Sequence, residues 1–386
     1  MSANTLTSIL TQILARGMMC LRPEVLMTKL VNTDYSLEAK KKGQTIDIPL
    51  SAAVATDDVT AAAVPGAPTG VTPTTAQITL DNWKHASFGL SDIEVGRIRA
   101  DQDFVPLQME EAFKALAKDI NDSVFATYKG IYGYVGTAGM TPFGSGVEVA
   151  SATNLRKVLL EQYCPRSNRR GILDLSAEAA ALNLAPFSDA EKRGSKDTKT
   201  SGNLGQIFGF DWYGEDGVPT HTAGSGSNIE TDAAGYAIGV KLINSDTGTG
   251  TIEEGDVFTI AGDDQTYVCT ADVGDVAAGA IAFLPALKVT ISGATAITLK
   301  ASHVVNLGFH RDAFGLAMRS PDAGIKELLG QSIAGNIMQS VVLQDPVSKL
   351  IMRLELIRGY KMTIWDVDCL WGTALVSAER AARLAG

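Results

Sequence analysis

Between Asp103 and Lys129 the apolar residues Met109, Phe113, Leu116, Ile120, Val124 and Tyr128 recur at steps of four, three, four, four and four. That spacing lays one apolar stripe along a helix. Asp101 or Asp103 can cap its start, Pro106 is tolerated in the first turn, and Gly130 can end it. At about 1.5 Å per residue such a helix is roughly 40 Å long, well above the common three turns. The stripe is expected to pack on strands near the C-terminus, around Leu354, Leu356 and Ile364.

Upstream, residues 4–31 show helical spacing in two pieces. Leu6, Ile9, Leu10, Ile13 and Leu14 form the first, and Val25, Leu26 and Leu30 the second, with Pro23 between them. This spacing suits a core helix or an arm laid on a neighbouring subunit or scaffold. From Lys40 the period changes. Ile46 and Ile48 alternate as in a strand, and Ile78, Leu80, Phe88 and Leu90 support returning strands. The stretch between them is built of small residues with Pro65, Pro68 and Pro73, and it cannot pack a core of its own. Two strands joined by such a tip predict a long β-arm.

Residues 131–220 read as α/β. A short helix over 151–165 stops at Pro165, and a strand then leads through Ser176 as N-cap into a second helix. Residues 188–205 are polar and Gly-rich, a surface loop, and 205–219 form a strand ending in a turn at Gly217. Residues 221–302 change character again. Short strands at 236–245, 256–262, 266–272, 287–293 and 297–302, with turns between them, predict a small barrel or sandwich. This block is acidic, with only Lys241, Lys288 and Lys300 as strong bases. Residues 303–320 resume as strand, turn and strand, and 322–339 as loop and short helix. The rest forms strands with a short closing helix, including an antiparallel pair turning at Arg358–Gly359.

Composition narrows the function. The chain has 386 residues, 45% hydrophobic and 20% charged, enough for two or three domains. A mean hydropathy of +0.09 fits a subunit that covers apolar surface with neighbours. The net charge of −10 excludes an ordinary basic-faced binder of double-stranded DNA. It suits a wall that encloses DNA without adhering to it, and ordinary cytoplasmic acidity equally. Cys20, Cys164, Cys269 and Cys369 are far apart, so no CxxC pair exists and reduced, buried thiols are expected. No carboxylate arrangement around His303 and His310 would complete a metal site, and Asp263–Asp264 and Glu253–Glu254 lack the pattern of a calcium loop. No nucleophile elbow surrounds Ser176, and no phosphate-cradling loop is present. No catalytic, cofactor-binding or metal-binding residue is therefore assigned, and no cofactor or membrane association is expected.

Two phrases carry a resemblance. VPTHTAG at 218–224 enters the acidic block, and FHRDAF at 309–314 follows it, set between strands. Both resemble the coat protein family of the short-tailed Salmonella phages. The order of elements resembles the Hong Kong phage-type major capsid fold, an α+β fold with an N-arm, an E-loop, a P domain with a long spine helix, and an A domain. The resemblance implies an N-terminal arm at 1–44, an E-loop with P-domain strands at 45–100, and the spine helix at 101–135. It implies an A domain at 136–220 and 303–342, an inserted small β-barrel at 221–302, and closing P/A-domain strands and helix at 343–386. It implies a non-enzymatic major capsid protein of a tailed double-stranded DNA bacteriophage. Such a protein self-assembles as hexamers and pentamers into an icosahedral procapsid, which expands on DNA packaging. Its implied partners are other copies, a scaffolding protein, a portal protein and a decoration protein, with assembly in the host bacterial cytoplasm and a final place in the virion. The alternatives are another phage structural protein, such as a tail tube or decoration protein, or a hydrolase with an inserted β domain.

Overall fold

A computed structural model describes residue 14 and residues 26–35, 45–50, 74–94, 107–189, 201–321, 337–345 and 349–386. The arm tip, most of the N-terminal helical spacing, the loop at 190–200 and the stretch 322–336 lie outside the described residues.

The long helix is α2, Leu107–Ala126, continued by a 3-10 turn at Thr127–Gly130. A short α1, Met27–Leu30, precedes it. Phe113, Leu116, Ile120 and Val124 are all buried, as the stripe requires. They pack on a five-stranded sheet made of β3 (Asn82–Ser91), β16 (Phe314–Arg319), β17 (Ile337–Gln344), β18 (Ile351–Arg358) and β19 (Met362–Leu375). β18 and β19 form the expected antiparallel pair, with Arg358 opposite Thr363 and Gly359 N donating to Met362 O at 2.9 Å. Leu354 and Leu356 face the helix. Ile364 does not. Strand side chains alternate between faces, so Trp365, Val367, Cys369 and Trp371 point to the helix while Ile364 is on the other side.

The second sheet has seven strands and parallel pairs, as an α/β reading expects. It contains β4 (Gly133–Gly136), β5 (Arg169–Leu173), β6 (Gly205–Ile207), β7 (Phe210–Gly214), β8 (Thr220–His221), β15 (His303–His310) and β20 (Ala381–Ala385). One face joins the core of α2 through Ile172, Leu307 and Phe309. The other is covered by α3 (Ala150–Glu161) and α4 (Leu175–Leu182), with Leu155, Leu159, Ala177 and Trp212 in a second core. Covered on both sides, β15 is almost continuously buried. The N-cap of α4 is Asp174, whose carboxylate accepts from Ser176 N at 3.0 Å. Ser176 lies inside the helix instead of capping it.

FHRDAF is the crossing point between the sheets. β15 ends in the seven-stranded sheet and β16 begins in the five-stranded one, so residues 314–319 and 337–344 join the sheet of α2. The 3-10 turn Arg311–Ala313 between them is capped by His310, whose Nδ1 accepts from Asp312 N. Asp312 in turn accepts from Asn32 Nδ2 at 2.9 Å. The expected closing helix is replaced by a 3-10 turn, Ala378–Arg380, and β20. β20 fits between β15 and β4, and that pairing outweighs the helical propensity of Ala-Ala-Arg-Leu-Ala.

The acidic block is a closed six-stranded barrel. Its order is β10 (Leu242–Thr249), β13 (Ala280–Leu284), β12 (Thr266–Cys269), β11 (Val257–Ile260), β14 (Ala296–Leu299) and β9 (Ser227–Thr231). Residues 227–231 and 280–284 are strands that the pattern did not single out. Residues 287–293 are irregular, with one bridge between Tyr236 and Ile291. Phe258, Tyr267, Cys269, Ile281 and Phe283 fill the barrel.

Candidate assembly surfaces

The arm starts as β1 (Thr45–Leu50) paired antiparallel with β2 (Thr74–Thr79). Ile46, Ile48, Ile78 and Leu80 bury one face of its base against Ala317 and Val376. The fit needs glycine. A Cβ at Gly372 would lie 2.1 Å from the Thr79 carbonyl oxygen, and one at Gly315 would lie 2.7 Å from Ile78 Cδ1. The base of the arm is thus seated on the five-stranded sheet by backbone contact.

Among the described residues, large apolar side chains stay exposed at several places, among them the following. At the turn of the β18–β19 hairpin, Tyr360 is 86% exposed and Ile93, beside it, is 75% exposed. Asp92 N donates to Lys361 O at 3.3 Å, and the Arg358 guanidinium grips both Asp92 oxygens, which lowers the Asp92 pKa. On the barrel, Ile238, Leu242 and Val289 face outward. Tyr163 is 94% exposed at the rim of a groove of about 940 Å³. That groove runs between the arm base at Pro49 and Leu50, the barrel at Lys241 and Pro285, and the turn at Glu379 and Arg380.

The face of the five-stranded sheet away from α2 carries charge. Arg353 Nε donates to Asp368 Oδ1 at 2.8 Å and Nη1 reaches Glu355 Oε1 at 3.0 Å, all three residues being buried. Trp83 Nε1 adds a bond to Asp368 Oδ2 at 3.0 Å, and His85 Nδ1 lies 2.9 Å from Asp366 Oδ1. Below the sheet, Asn121 on α2 links two segments. It accepts from Met27 N and donates to Glu215 Oε1, both at 3.2 Å. Burial, aided by Asp216, pushes the Glu215 carboxyl up to about 7.

The barrel meets the body at a polar neck. β8 and β15 put His221 directly opposite His303, with ring centroids 5.5 Å apart. His221 spans the joint. Its Nδ1 lies 3.0 Å from Tyr128 Oη of the body and its Nε2 2.8 Å from Asp256 Oδ1 of the barrel. Arg383, fully buried, donates to Gly255 O of the barrel and to Tyr128 O and Lys129 O of the body. Val257 and Val268, on the outside of the barrel, pack on Tyr132. A hydroxyl–imidazole–carboxylate chain can relay a proton in an enzyme. Here burial raises the Tyr128 pKa, so its hydroxyl stays protonated at neutral pH. The chain joins the body to the barrel through His221.

The sequence assigned no catalytic, cofactor or metal residue. Among the described residues no group of three or more His, Cys, Asp and Glu side chains could hold a metal ion, and no helix is long and apolar enough to cross a membrane. Cys164, Cys269 and Cys369 are buried, free thiols. The sequence reading missed the neck, because His221, Asp256 and His303 are far apart along the chain and no spacing motif links them.

No protein-family model matches the sequence, and no curated protein matches it. Solved structures do match. A chain of the Mycobacterium phage Che8 structure is 12% identical, with 93% of this chain and 90% of that chain covered at a TM-score of 0.50. The capsid of the cyanophage P-SCSP1u is 11% identical over 89% of this chain and 83% of its own, at 0.44. The mature capsid of bacteriophage PhiM1 is 8% identical over 89% of this chain and 82% of its own, at 0.43. The first of these matches shows that the chain shares the fold of the Che8 phage chain.

Proposed function

We propose that this chain is the major capsid protein of a tailed double-stranded DNA bacteriophage. The observation that carries the reading is the fold shared with the Che8 phage chain over 93% of this chain. In this reading the β1–β2 arm is the E-loop, α2 is the spine helix of the P domain, and the seven-stranded sheet with α3 and α4 is the core of the A domain. Residues 221–302 are the inserted domain, and residues 1–44 are the N-terminal arm. The protein acts through surfaces, without catalysis.

The physical features support this role. An arm stem cannot bury a second face by itself, but it gains energy when it lies across a neighbour. The exposed Tyr360, Ile93 and Tyr163 would be covered in a closed shell, where each small contact is repeated by symmetry. The net charge of −10 keeps packaged DNA from sticking to the wall. Copies form hexamers and pentamers around a scaffolding protein and a portal. Assembly takes place in the bacterial cytoplasm and the product is the virion shell. A decoration protein would bind its outside.

Negative-stain microscopy of the purified protein, alone and with the scaffolding protein of its phage, tests the reading. Closed shells are expected. Tubes would point to a tail protein, and monomers that never assemble would point to the hydrolase alternative.

A further inference from the structure

The neck holds more buried polar chemistry than a covalent joint between two domains needs. Two chain segments, 222–226 and 300–302, already tie the barrel to the body. Yet His221 and His303 sit opposite each other between them, both nearly inaccessible to solvent. The two rings differ in their partners. Both His221 nitrogens are engaged, by Tyr128 and Asp256. His303 Nδ1 lies 2.9 Å from Ala301 O, so this nitrogen carries the proton. Its Nε2 is buried and has no hydrogen-bond partner. The ring is wedged edge-on against Tyr134, with centroids 5.1 Å apart.

Every element packed on His303 contributes to its electrostatics. β8 supplies His221, and β20 supplies the Arg383 guanidinium. The turn before β11 supplies Asp256, whose second oxygen is held by Gly224 N at 3.0 Å and Glu253 N at 2.8 Å. The end of α2 supplies Tyr128, β4 supplies Tyr134, and the outgoing segment supplies Lys300, whose Nζ lies 5.8 Å from the Tyr134 ring centroid. Lys129 and Glu254 form a pair at 2.9 Å at the rim. One buried cation therefore faces one buried carboxylate, and that carboxylate already accepts three bonds. A second buried cation at His303 would have no acceptor.

We propose that the neck is a proton-operated latch: the barrel stays docked on the body while His303 is neutral, and is released as an intact, tethered unit when His303 gains a proton. Release breaks contacts that only docking makes, among them His221 to Asp256, Arg383 to Gly255 O and Thr266 Oγ1 to Tyr132 O at 2.7 Å. It leaves the barrel's own core of Phe258, Tyr267 and Phe283 untouched. The direction follows from burial, which pushes the His303 pKa down from 6.5 to about 4. Undocked, the ring regains its ordinary affinity for protons. Docking is then strongest above pH 6.5 and weakens as the pH falls, by about 150-fold at pH 4 and about 300-fold at the low-pH limit of the docking equilibrium. The inference does not depend on the capsid reading.

The test uses the full chain. Hydrogen exchange, scaled for intrinsic rate, is followed by mass spectrometry from pH 7 to pH 4. Peptides covering 220–226, 253–256 and 300–304 should lose protection, while peptides covering 257–269 keep it. In His303→Phe, which keeps an aromatic ring against Tyr134, the neck should stay protected at pH 4. Imidazole NMR of the wild-type chain gives a second measurement that needs no variant. His303 should titrate well below 6.5. The proposal is overturned if the wild-type neck stays protected at pH 4, if the barrel core opens together with it, if His303→Phe opens like wild type, or if His303 titrates at 6.5 or above.

Discussion

Leu116→Ala tests whether α2 is the structural centre of the molecule. Leu116 is 2% exposed and lies in the core shared by α2 and both sheets. The substitution removes three buried carbons. At about 0.8 kcal/mol for each, the transfer loss alone is about 2.4 kcal/mol. The cavity left behind raises the cost into the range of about 2.7–5 kcal/mol. Collapse around the site is limited, because Ala117 and Ile120 beside it are fully buried and already packed. A domain holds only about 5–15 kcal/mol in total, so the variant should lose a large share of its margin. Scanning calorimetry of the soluble chain should show the main transition lowered by several degrees, with near-ultraviolet circular dichroism reporting the loss of tertiary packing. Lys118→Ala, at an exposed position on the opposite side of the helix, should melt within about 0.5 kcal/mol of wild type. If Leu116→Ala melted like wild type while Lys118→Ala collapsed, the assignment of faces on α2 would be wrong.

Three further outcomes are expected. Glu215 binds its proton more tightly when folded, at about 7 against the ordinary 4.5, so its contribution to stability is full below pH 4.5 and is lost as the pH rises through 7. Glu215→Gln should therefore stabilise the chain at pH 8 by up to about 3 kcal/mol and do little at pH 4, as read from urea midpoints; an equal shift at both pH values would contradict this. Deleting residues 55–75 should leave a soluble, folded subunit that makes no stable shells under the microscope, and normal shells would remove the arm from the assembly argument. Residues 221–302 expressed alone should give dispersed β-type amide spectra and a cooperative melt, since the closed barrel has its own core; a random-coil spectrum would show that the body is needed to fold it.

The parts legible in the sequence are those whose signal is local. The stripe on α2 could be read because a helix returns to the same face every three or four residues. The turn at Arg358–Gly359 was legible for a similar reason, lying between two alternating runs. The barrel was legible as a β block but not strand by strand. Residues 287–293 alternate like a strand, yet they fold as irregular chain against 236–240, while the Ala-rich 280–284 pairs with β10 and β12. Residues 381–385 look helical, and only the slot between β15 and β4 makes them a strand. The neck was invisible because its partners come from β8, the turn before β11, β15 and the final strand. Likewise, no pattern in the sequence tells a covered Tyr132 from an open Tyr163.

The pairing of His221 with His303 has a consequence for how the molecule can change. The chain leaves the body and comes back to it on adjacent, hydrogen-bonded strands. A break at that point separates two ends that are about 5 Å apart. The barrel is therefore a cassette: a short turn, or any other domain whose termini lie side by side, can take its place without disturbing the register of β15 in its sheet. What must be exchanged with it is the chemistry at the socket. Arg383 would lose the Gly255 carbonyl and the nearby charge of Asp256, so a cassette that brings no acceptor of its own should be accompanied by a neutral residue at position 383.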